Sequence, residues 1–223
     1  MNINGKKTLC SGFIFIALFT IWTFLIQVVD VQSIGLKDSD VGFATLNKWF
    51  HNLTGVNLML YNITDWLGLV PVFICMIFAT FGLVQLINRR SLLKVDLDIT
   101  FLGIYYAIVI FGYLIFEMIP INYRPILING FVEASYPSST TLLVLSVMPS
   151  LVFQSNYRVK NNTLKQVICV FTIIFSAFMV IGRLISGVHW LTDIVGSIFL
   201  SFGLFCLYKG IVLLTVKRWN YGI

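Results

Sequence analysis

The chain has 223 residues, of which 58% are hydrophobic and 11% are charged, and its mean hydropathy is +0.92. A soluble domain carries about 25% charged residues, so the composition excludes an ordinary soluble protein and predicts an integral membrane protein. The formal net charge of +6 lies in short segments between apolar stretches, which argues against a nucleic-acid partner.

Six stretches of the chain contain no charged residue. Most of them reach or approach the roughly 20 residues that a helix needs to cross a bilayer, and they run from Thr8 to Val29, Trp66 to Asn88, Ile99 to Phe116, Ala134 to Tyr157, Gln166 to Gly182 and Ile194 to Tyr208. The predicted fold class is all-α, a polytopic membrane protein with six transmembrane helices. We expect residues 1–223 to form a single integral membrane domain.

The basic residues between these stretches predict the orientation of the helices. Most of them fall on one side of a six-helix thread, and the positive-inside rule makes that side cytoplasmic. They are Lys6, Lys7, Arg89, Arg90, Lys94, Arg158, Lys160, Lys165, Lys209, Lys217 and Arg218. Both termini are then cytoplasmic, and residues 30–65, 117–137 and 183–193 form the outer connections. The predicted location is the plasma membrane, where this multi-pass chain contacts membrane lipids.

The first outer connection predicts a helix of its own. Between Phe43 and Leu53, apolar residues recur at helical spacing, with polar residues such as Asn47 and His51 between them. This pattern is typical of a short helix that lies in the membrane interface. Tyr61 then precedes the second span, where interfacial aromatic residues often occur.

The connection before the last span holds the most informative pattern. Arg183, His189 and Asp193 lie where one apolar stretch ends and the next begins. A histidine and an aspartate four residues apart are expected to share one helix face. An imidazole with such a partner, and with an arginine upstream, is poised for phosphate chemistry. Taken alone, such a pair is more often a structural hydrogen bond, so its interpretation depends on its surroundings.

Two further polar clusters fall on the same predicted outer face. Residues 117–125 close the third span with Glu117 and Arg124, and residues 133–141 open the fourth span with Glu133, a proline and a run of hydroxyls. A helix start with hydroxyls and free backbone N–H groups can hold an anion, although an ordinary helix cap has the same composition. The arginines on that face favour the anion site, because guanidinium groups bind tetrahedral oxyanions.

Taken together, these clusters resemble the motifs of the type 2 phosphatidic acid phosphatase superfamily. The family's third motif, Ser-Arg-x5-His-x3-Asp, is matched by Arg183, His189 and Asp193, with Gly182 in place of the serine. The resemblance covers residues 69–208, which we interpret as a phosphatase-like core. All three motifs of the family occur in the family's order, on one predicted face of the membrane.

The first and second motifs match in part. Lys-x6-Arg-Pro is matched by Arg124 and Pro125, but Glu117 stands in place of the lysine. Pro-Ser-Gly-His is represented by Pro-Ser-Ser-Thr at residues 137–140, so Thr140 replaces the histidine.

The resemblance implies a role for each matched residue. His189 would attack phosphorus and form a phosphohistidine, while Asp193 would orient the imidazole. The phosphoryl oxygens would be held by Arg124, Arg183, Ser138, Ser139 and Thr140. No metal and no other cofactor is implied.

The departures from the motifs leave the proton donor open. In the family the second-motif histidine protonates the leaving oxygen, and a threonine is too weak an acid to replace it. Glu117 and Glu133 are the candidate acids. Alternatively they shape the pocket, in which case a salt bridge joins Glu117 to Arg124 or Arg183. His51, the other histidine, lies in the distant first connection.

The implied function is a membrane lipid phosphatase that hydrolyses a lipid phosphate or diphosphate at the outer face of the membrane. Two alternatives stay open: a lipid phosphotransferase that passes the phosphoryl group from His189 to another acceptor, and a non-catalytic protein that binds lipid phosphates. A diphosphate has a better leaving group than a lipid alcohol has, whereas Glu117 disfavours additional negative charge.

Overall fold

The structure is a computed structural model that describes residues 3–215. Over this range the chain forms eight α-helices and no β-strand. The helices are α1 (Ile3–Val28), α2 (Ala44–Thr54), α3 (Leu58–Leu67), α4 (Leu69–Arg89), α5 (Leu97–Met118), α6 (Ser139–Arg158), α7 (Asn162–Ile185) and α8 (Leu191–Thr215).

The helices confirm the predicted class, an all-α, multi-pass membrane protein. Five segments among the described residues are long and apolar enough to cross a membrane: α1, α5, α7, α8 and the continuous segment Leu58–Arg89, which joins α3 to α4. The fourth predicted span also folds as a long helix, α6, but α6 is not among these five segments. This helix begins at Ser139, five residues later than the apolar stretch does.

Helix α6 lies at the centre of the bundle, where it packs against α4, α5, α7 and α8. Its polar side chains contact these neighbours instead of lipid. The backbone carbonyl of Ser146 accepts a 3.0 Å hydrogen bond from the Tyr105 hydroxyl, and Ser150 Oγ lies 2.7 Å from the hydroxyl of Tyr106. Because polar groups such as the Ser150 hydroxyl find partners inside the bundle, α6 needs less apolar surface than a helix that faces lipid.

The helix predicted in the first outer connection is present as α2. Trp49 and Leu53 are exposed on one of its faces, whereas Asn47, which the sequence pattern places on the polar side, is buried. The Asn47 amide donates to Gly42 O at 2.8 Å and to Thr192 Oγ1 at 3.0 Å, and Asn47 Oδ1 accepts from Thr192 N at 3.3 Å. These hydrogen bonds therefore join α2 to the first turn of α8.

The connection between α5 and α6 folds back on itself like a hairpin. Arg124 N donates to Glu133 O at 3.0 Å, and Ser135 N donates to Asn122 O at 2.9 Å. These two bonds set the residues of the first motif directly against those that precede the second motif. They flank an isolated β-bridge between Tyr123 and Ala134, so the chain is not yet helical there and α6 begins at Ser139.

The two ends of the bundle differ in charge, as the sequence predicts. Lys6 and Lys7 lie in the first turns of α1, while Arg89 and Arg158 lie at the C-terminal ends of α4 and α6. The predicted basic residues Lys217 and Arg218 lie outside the described part of the chain. The three motifs lie at the opposite end, where α5 and α7 end and α6 and α8 begin.

Candidate active site

His189 lies in the short turn at residues 186–190, between α7 and α8. Gly187 has a φ of +67°, and a Cβ atom there would lie 2.0 Å from the carbonyl oxygen of Gly55. Only glycine fits this position, because any other residue would have a strained backbone and a side chain that clashes with Gly55. Ser186 O also accepts a 3.0 Å hydrogen bond from Asn57 N, so the first outer connection fixes the turn that carries the histidine.

The hydrogen bond that orients His189 differs from the predicted one. Nδ1 of the imidazole lies 3.1 Å from the backbone carbonyl oxygen of Ser135, and 3.7 Å from Oδ2 of Asp193. Since a carbonyl can only accept, Nδ1 carries the proton and Nε2 carries the lone pair. The expectation that His189 and Asp193 share a helix face is wrong, because α8 begins two residues after His189.

Asp193 stabilises the turn and the start of α8. Its Oδ2 accepts a 2.9 Å hydrogen bond from Trp190 N, and its Oδ1 accepts one of 3.3 Å from Asn122 Nδ2. A carboxylate in this position satisfies an N–H group that the helix leaves unpaired. Asp193 thus positions His189 through the backbone of the turn, and Asn122 and Ser135 are site residues that the sequence patterns did not single out.

His189 is buried and neutral. Burial lowers the pKa of the imidazole well below its usual value, and the charges of Arg124 and Arg183 lower it further. Its Nε2 atom is buried and has no hydrogen-bond partner within residues 3–215. A neutral imidazole with a fixed tautomer and a free lone pair has the form required of a nucleophile.

Arg183 occupies the last turn of α7, and its side chain is 1% exposed. Its guanidinium carbon lies 4.8 Å from the centre of the Tyr61 ring, and its Nη1 lies 3.5 Å from Asp65 Oδ1. Neither Nε nor Nη1 of Arg183 has a hydrogen-bond partner in the part of the chain that is described. A buried guanidinium with unused donors is suited to an anion.

Arg124 faces the same aromatic ring from the connection between α5 and α6. Its guanidinium carbon lies 5.8 Å from the Tyr61 ring centre, and its Nε lies 3.1 Å from Glu133 Oε2. Tyr61 therefore contacts both arginines, although the sequence pattern had suggested only an interfacial position for it. Cation–π contacts with one ring hold the two cations near each other.

A cavity of about 170 Å³ adjoins these residues. It is lined by Tyr113, Phe116, Glu117, Arg124, Glu133, Ala134, Tyr136, Pro137, Ser139 and His189. Arg124 of the first motif and His189 of the third thus lie at one cavity, with Glu117, Glu133 and Ser139 in its wall. Arg183 does not line the cavity, but its charge is close enough to His189 to lower the pKa of the imidazole.

Ser138 and Thr140, which the resemblance places on the phosphate, do not line this cavity. Ser138 is buried at the start of α6, and its hydroxyl donates to Thr141 Oγ1 at 3.1 Å. Thr140 faces an adjacent groove that Asp65 and Gly68 also line. Successive residues at a helix start point in different directions, so Ser139 alone of the three reaches the cavity.

A comparison with known families identifies the chain. The family model of the PAP2 superfamily matches residues 100–215, just over half of its length. The chain belongs to the PAP2 superfamily. The matched part contains the cavity, both arginines and His189, so the candidate site lies in the part of the chain that carries the family likeness. The further extent of the phosphatase-like core, back to residue 69, stays a prediction.

A solved structure supports the PAP2 fold over nearly the whole chain. The chain is similar to a transmembrane PAP2-type phosphatidylglycerolphosphate phosphatase from Bacillus subtilis, with a TM-score of 0.67 and 16% identity. The alignment covers 94% of this chain and 99% of that one. The comparison with curated proteins gives no significant match.

Glu117 departs from the PAP2 motif, and its surroundings differ from those expected. The predicted salt bridge to Arg124 or Arg183 is wrong, because these arginines pair with Glu133 and Asp65. Glu117 lies in the last turn of α5, where it lines the cavity and interacts with Tyr113, one turn earlier. No ion pair of Glu117 occurs among residues 3–215, so within this range its carboxyl has no cationic partner.

His51 is also closer to the site than its sequence position suggests. Its ring lies 5.6 Å from the ring of Trp190, the residue that follows His189. The expectation that it is distant from the site is wrong, because α2 folds back against the start of α8. His51 is nevertheless absent from the cavity lining.

Gly182 departs from the PAP2 motif for a steric reason. A Cβ atom at this position would lie 2.7 Å from Cγ2 of Thr64. Helix α3 packs against α7 at this point, and the same helix carries Tyr61 and Asp65 to Arg183. The absence of a side chain at Gly182 thus permits the close approach that completes the arginine pair.

Gly182→Ser is therefore expected to destabilise the protein even though it restores the motif. Overpacking typically costs about 1–3 kcal/mol, so the melting temperature of the purified protein should fall by several degrees. Gly112→Ser is the matched control, because Gly112 lies in a helix and a Cβ atom there would meet nothing within 4 Å. Adding Thr64→Ala should restore the lost stability, and no recovery in this double variant would contradict the steric explanation.

Proposed function

We propose that this PAP2 protein is a lipid phosphatase that uses His189 as its nucleophile. The observation that carries the proposal is the buried, neutral imidazole of His189. Its Nδ1–H donates to the Ser135 carbonyl, its Nε2 has no hydrogen-bond partner among residues 3–215, and His189 lines a cavity that Arg124 also lines. A phosphoryl group in this cavity would meet the nucleophile and a cation together.

The chemistry follows from this arrangement in two steps. Nε2 attacks phosphorus and the bond to the leaving oxygen breaks, which gives a phosphohistidine. Water then attacks phosphorus and releases inorganic phosphate, so the imidazole is regenerated. The guanidinium group of Arg124, which lines the cavity, and the nearby charge of the buried Arg183 stabilise the charge that spreads over the phosphoryl oxygens in both transition states.

A groove beside the cavity supports a substrate with hydrocarbon tails. A section of about 410 Å³ shares Tyr113 and Ser139 with the cavity, and a further section of about 680 Å³ shares Val72, Cys75 and Ile110 with the first. We call these two sections the tail groove. It runs along α4 and α5 and is lined mainly by apolar side chains, so it suits acyl or prenyl tails while the phosphate occupies the cavity.

The charge of the cavity favours one phosphate group over two. Glu117 and Glu133 both line it, whereas Arg124 is the sole cation in its lining among the described residues. Because carboxylates repel added negative charge, we propose a lipid monophosphate as the preferred substrate and a lipid diphosphate as a poorer one. The positive-inside rule further supports placing the cavity at the outer face, with both termini in the cytoplasm.

The proposal is tested with purified protein in detergent and a panel of lipid mono- and diphosphates. Release of inorganic phosphate that His189→Ala abolishes supports hydrolysis. Transfer of label to an acceptor lipid, without free phosphate, would favour the phosphotransferase instead. If the unsubstituted protein and His189→Ala released equal traces of phosphate, only a non-catalytic lipid-binding role would remain.

A tryptophan in the tail groove is expected to slow the cleavage of long-chain substrates. Val72 lines both sections of the groove, so Val72→Trp should displace a tail and lower kcat/KM for a long-chain lipid phosphate by roughly tenfold, in line with about 1–3 kcal/mol of overpacking. A short-chain analogue should be cleaved at nearly the unchanged rate. Steady-state kinetics on both substrates measure the difference.

Val84→Trp is the matched control for this prediction. Val84 lies on the same helix and is exposed to a similar degree, but it does not line the groove. An equal loss in both variants, or an equal loss on both substrates, would show that the groove does not hold the tail.

A further inference from the structure

The cavity supplies a cation for the phosphate and a nucleophile for phosphorus, but hydrolysis of a lipid phosphate also requires a proton. The leaving group is an alcohol, and an alkoxide leaves slowly unless an acid protonates it as the bond breaks. Thr140, which stands where the motif has its histidine, faces the tail groove instead of the cavity. The proton donor must therefore be another group in the wall of the cavity.

Most of the polar groups in that wall are unsuitable. The hydroxyl of Ser139 is too weak an acid. Tyr136 places its hydroxyl 2.7 Å from Thr23 Oγ1, and burial raises the pKa of its phenol. Glu133 is already engaged in an ion pair, in which its Oε2 lies 3.1 Å from Arg124 Nε.

Glu117 differs from these groups in its surroundings. It lies in the last turn of α5, directly after Phe116, and both residues line the cavity with His189. Its carboxyl has no cationic partner within the described range. A phosphate anion bound beside an unpaired carboxyl favours the protonated form of that carboxyl, because two negative groups at close range repel.

We infer that Glu117 is the general acid of this site and protonates the oxygen of the leaving alcohol. The inference rests on the proposed function and deepens it. As Nε2 of His189 forms its bond to phosphorus, the P–O bond to the lipid alcohol breaks and Glu117 gives its proton to the departing oxygen. The resulting carboxylate then takes a proton from the water that attacks the phosphohistidine. Breaking of the N–P bond releases inorganic phosphate and leaves Glu117 protonated again.

The dependence of the rate on the leaving group tests this role. Glu117→Gln removes the proton but keeps the size of the side chain. We expect kcat for an alkyl lipid phosphate to fall about 10²–10⁴-fold, which is the usual contribution of a general acid. For 2,4-dinitrophenyl phosphate, whose leaving group needs no proton, the loss should be roughly tenfold or less.

Two further variants separate a catalytic role from a structural one. Glu117→Asp keeps the acid and should recover part of the activity on the alkyl substrate. Glu133→Gln and Tyr113→Phe are the matched controls, and each should affect both substrates to a similar degree. If either control gave the leaving-group-dependent loss that we expect of Glu117→Gln, the proton donor would be that residue instead.

The outcomes distinguish the inference from the proposed function. Equal losses on both substrates in Glu117→Gln, or an unchanged rate on the alkyl substrate, would overturn the role of Glu117 while leaving His189-dependent hydrolysis intact. If the unsubstituted protein released no phosphate from either substrate, the proposed function would fall, and the role of Glu117 with it.

Discussion

Replacement of His189 by asparagine is expected to lower phosphate release by about 10⁴-fold or more, the scale of losing a catalytic nucleophile. Asparagine is chosen because its amide can still donate to the carbonyl of Ser135, which in the unsubstituted protein accepts from Nδ1 of the imidazole. It has no atom that can replace Nε2 as a nucleophile. The rate of phosphate release from a lipid monophosphate measures the loss, while the melting temperature shows that the fold is kept.

His51→Asn is the control, because it removes the chain's other histidine. His51 contacts the ring of Trp190 but does not line the cavity, so this variant should cleave the same substrate at close to the unsubstituted rate. If His189→Asn released phosphate at a rate within about tenfold of that of the unsubstituted protein, His189 would not be the nucleophile.

Arg183→Lys is expected to lower kcat/KM by about 10²–10³-fold, the scale of losing one group that stabilises the transition state. Lysine keeps the positive charge, but it lacks the planar fork of donors that can bind two phosphoryl oxygens at once. It would also change the stacking on Tyr61, whose ring centre lies 4.8 Å from the guanidinium carbon. The partner of Arg183, Asp65, is 56% exposed, so the substitution leaves no buried, unpaired carboxylate.

Arg158→Lys provides a matched comparison at the opposite end of the bundle. Arg158 is partly buried, with its side chain 20% exposed, and its Nη1 lies 2.6 Å from Asp98 Oδ2. This variant should lower the melting temperature while kcat/KM stays within a few-fold of the unsubstituted value. A similar loss of kcat/KM in both variants would indicate that Arg183 acts through stability and not through the phosphoryl group.

The order of the motifs and the alternation of charge predicted much of the fold and of the site. In a chain of this composition, long uncharged stretches predict membrane-spanning helices. The motifs at Arg124 and His189 fall in connections at one end of the bundle. The interfacial pattern from Phe43 onward likewise predicted a real helix. These features depend on residue type and spacing along the chain, which a sequence contains.

The remaining features depend on contacts between distant segments. The spacing of His189 and Asp193 suggested one helix face, but the turn at Gly187 delays the start of α8, and the carbonyl of Ser135 orients the imidazole instead. Backbone carbonyls have no sequence signature. Tyr61 and Asp65 reach the arginines because α3 packs on α7 at Gly182, and no local pattern encodes that approach.

The most direct test is to quench the protein during turnover of a labelled lipid monophosphate and to map the label. We expect a phosphoryl group on His189 that is stable in alkali and labile in acid. It should be absent from His189→Asn, and it should accumulate with 2,4-dinitrophenyl phosphate if the second step is slower than the first. Rapid phosphate release without any labelled protein, or label on a residue other than His189, would contradict the proposed mechanism.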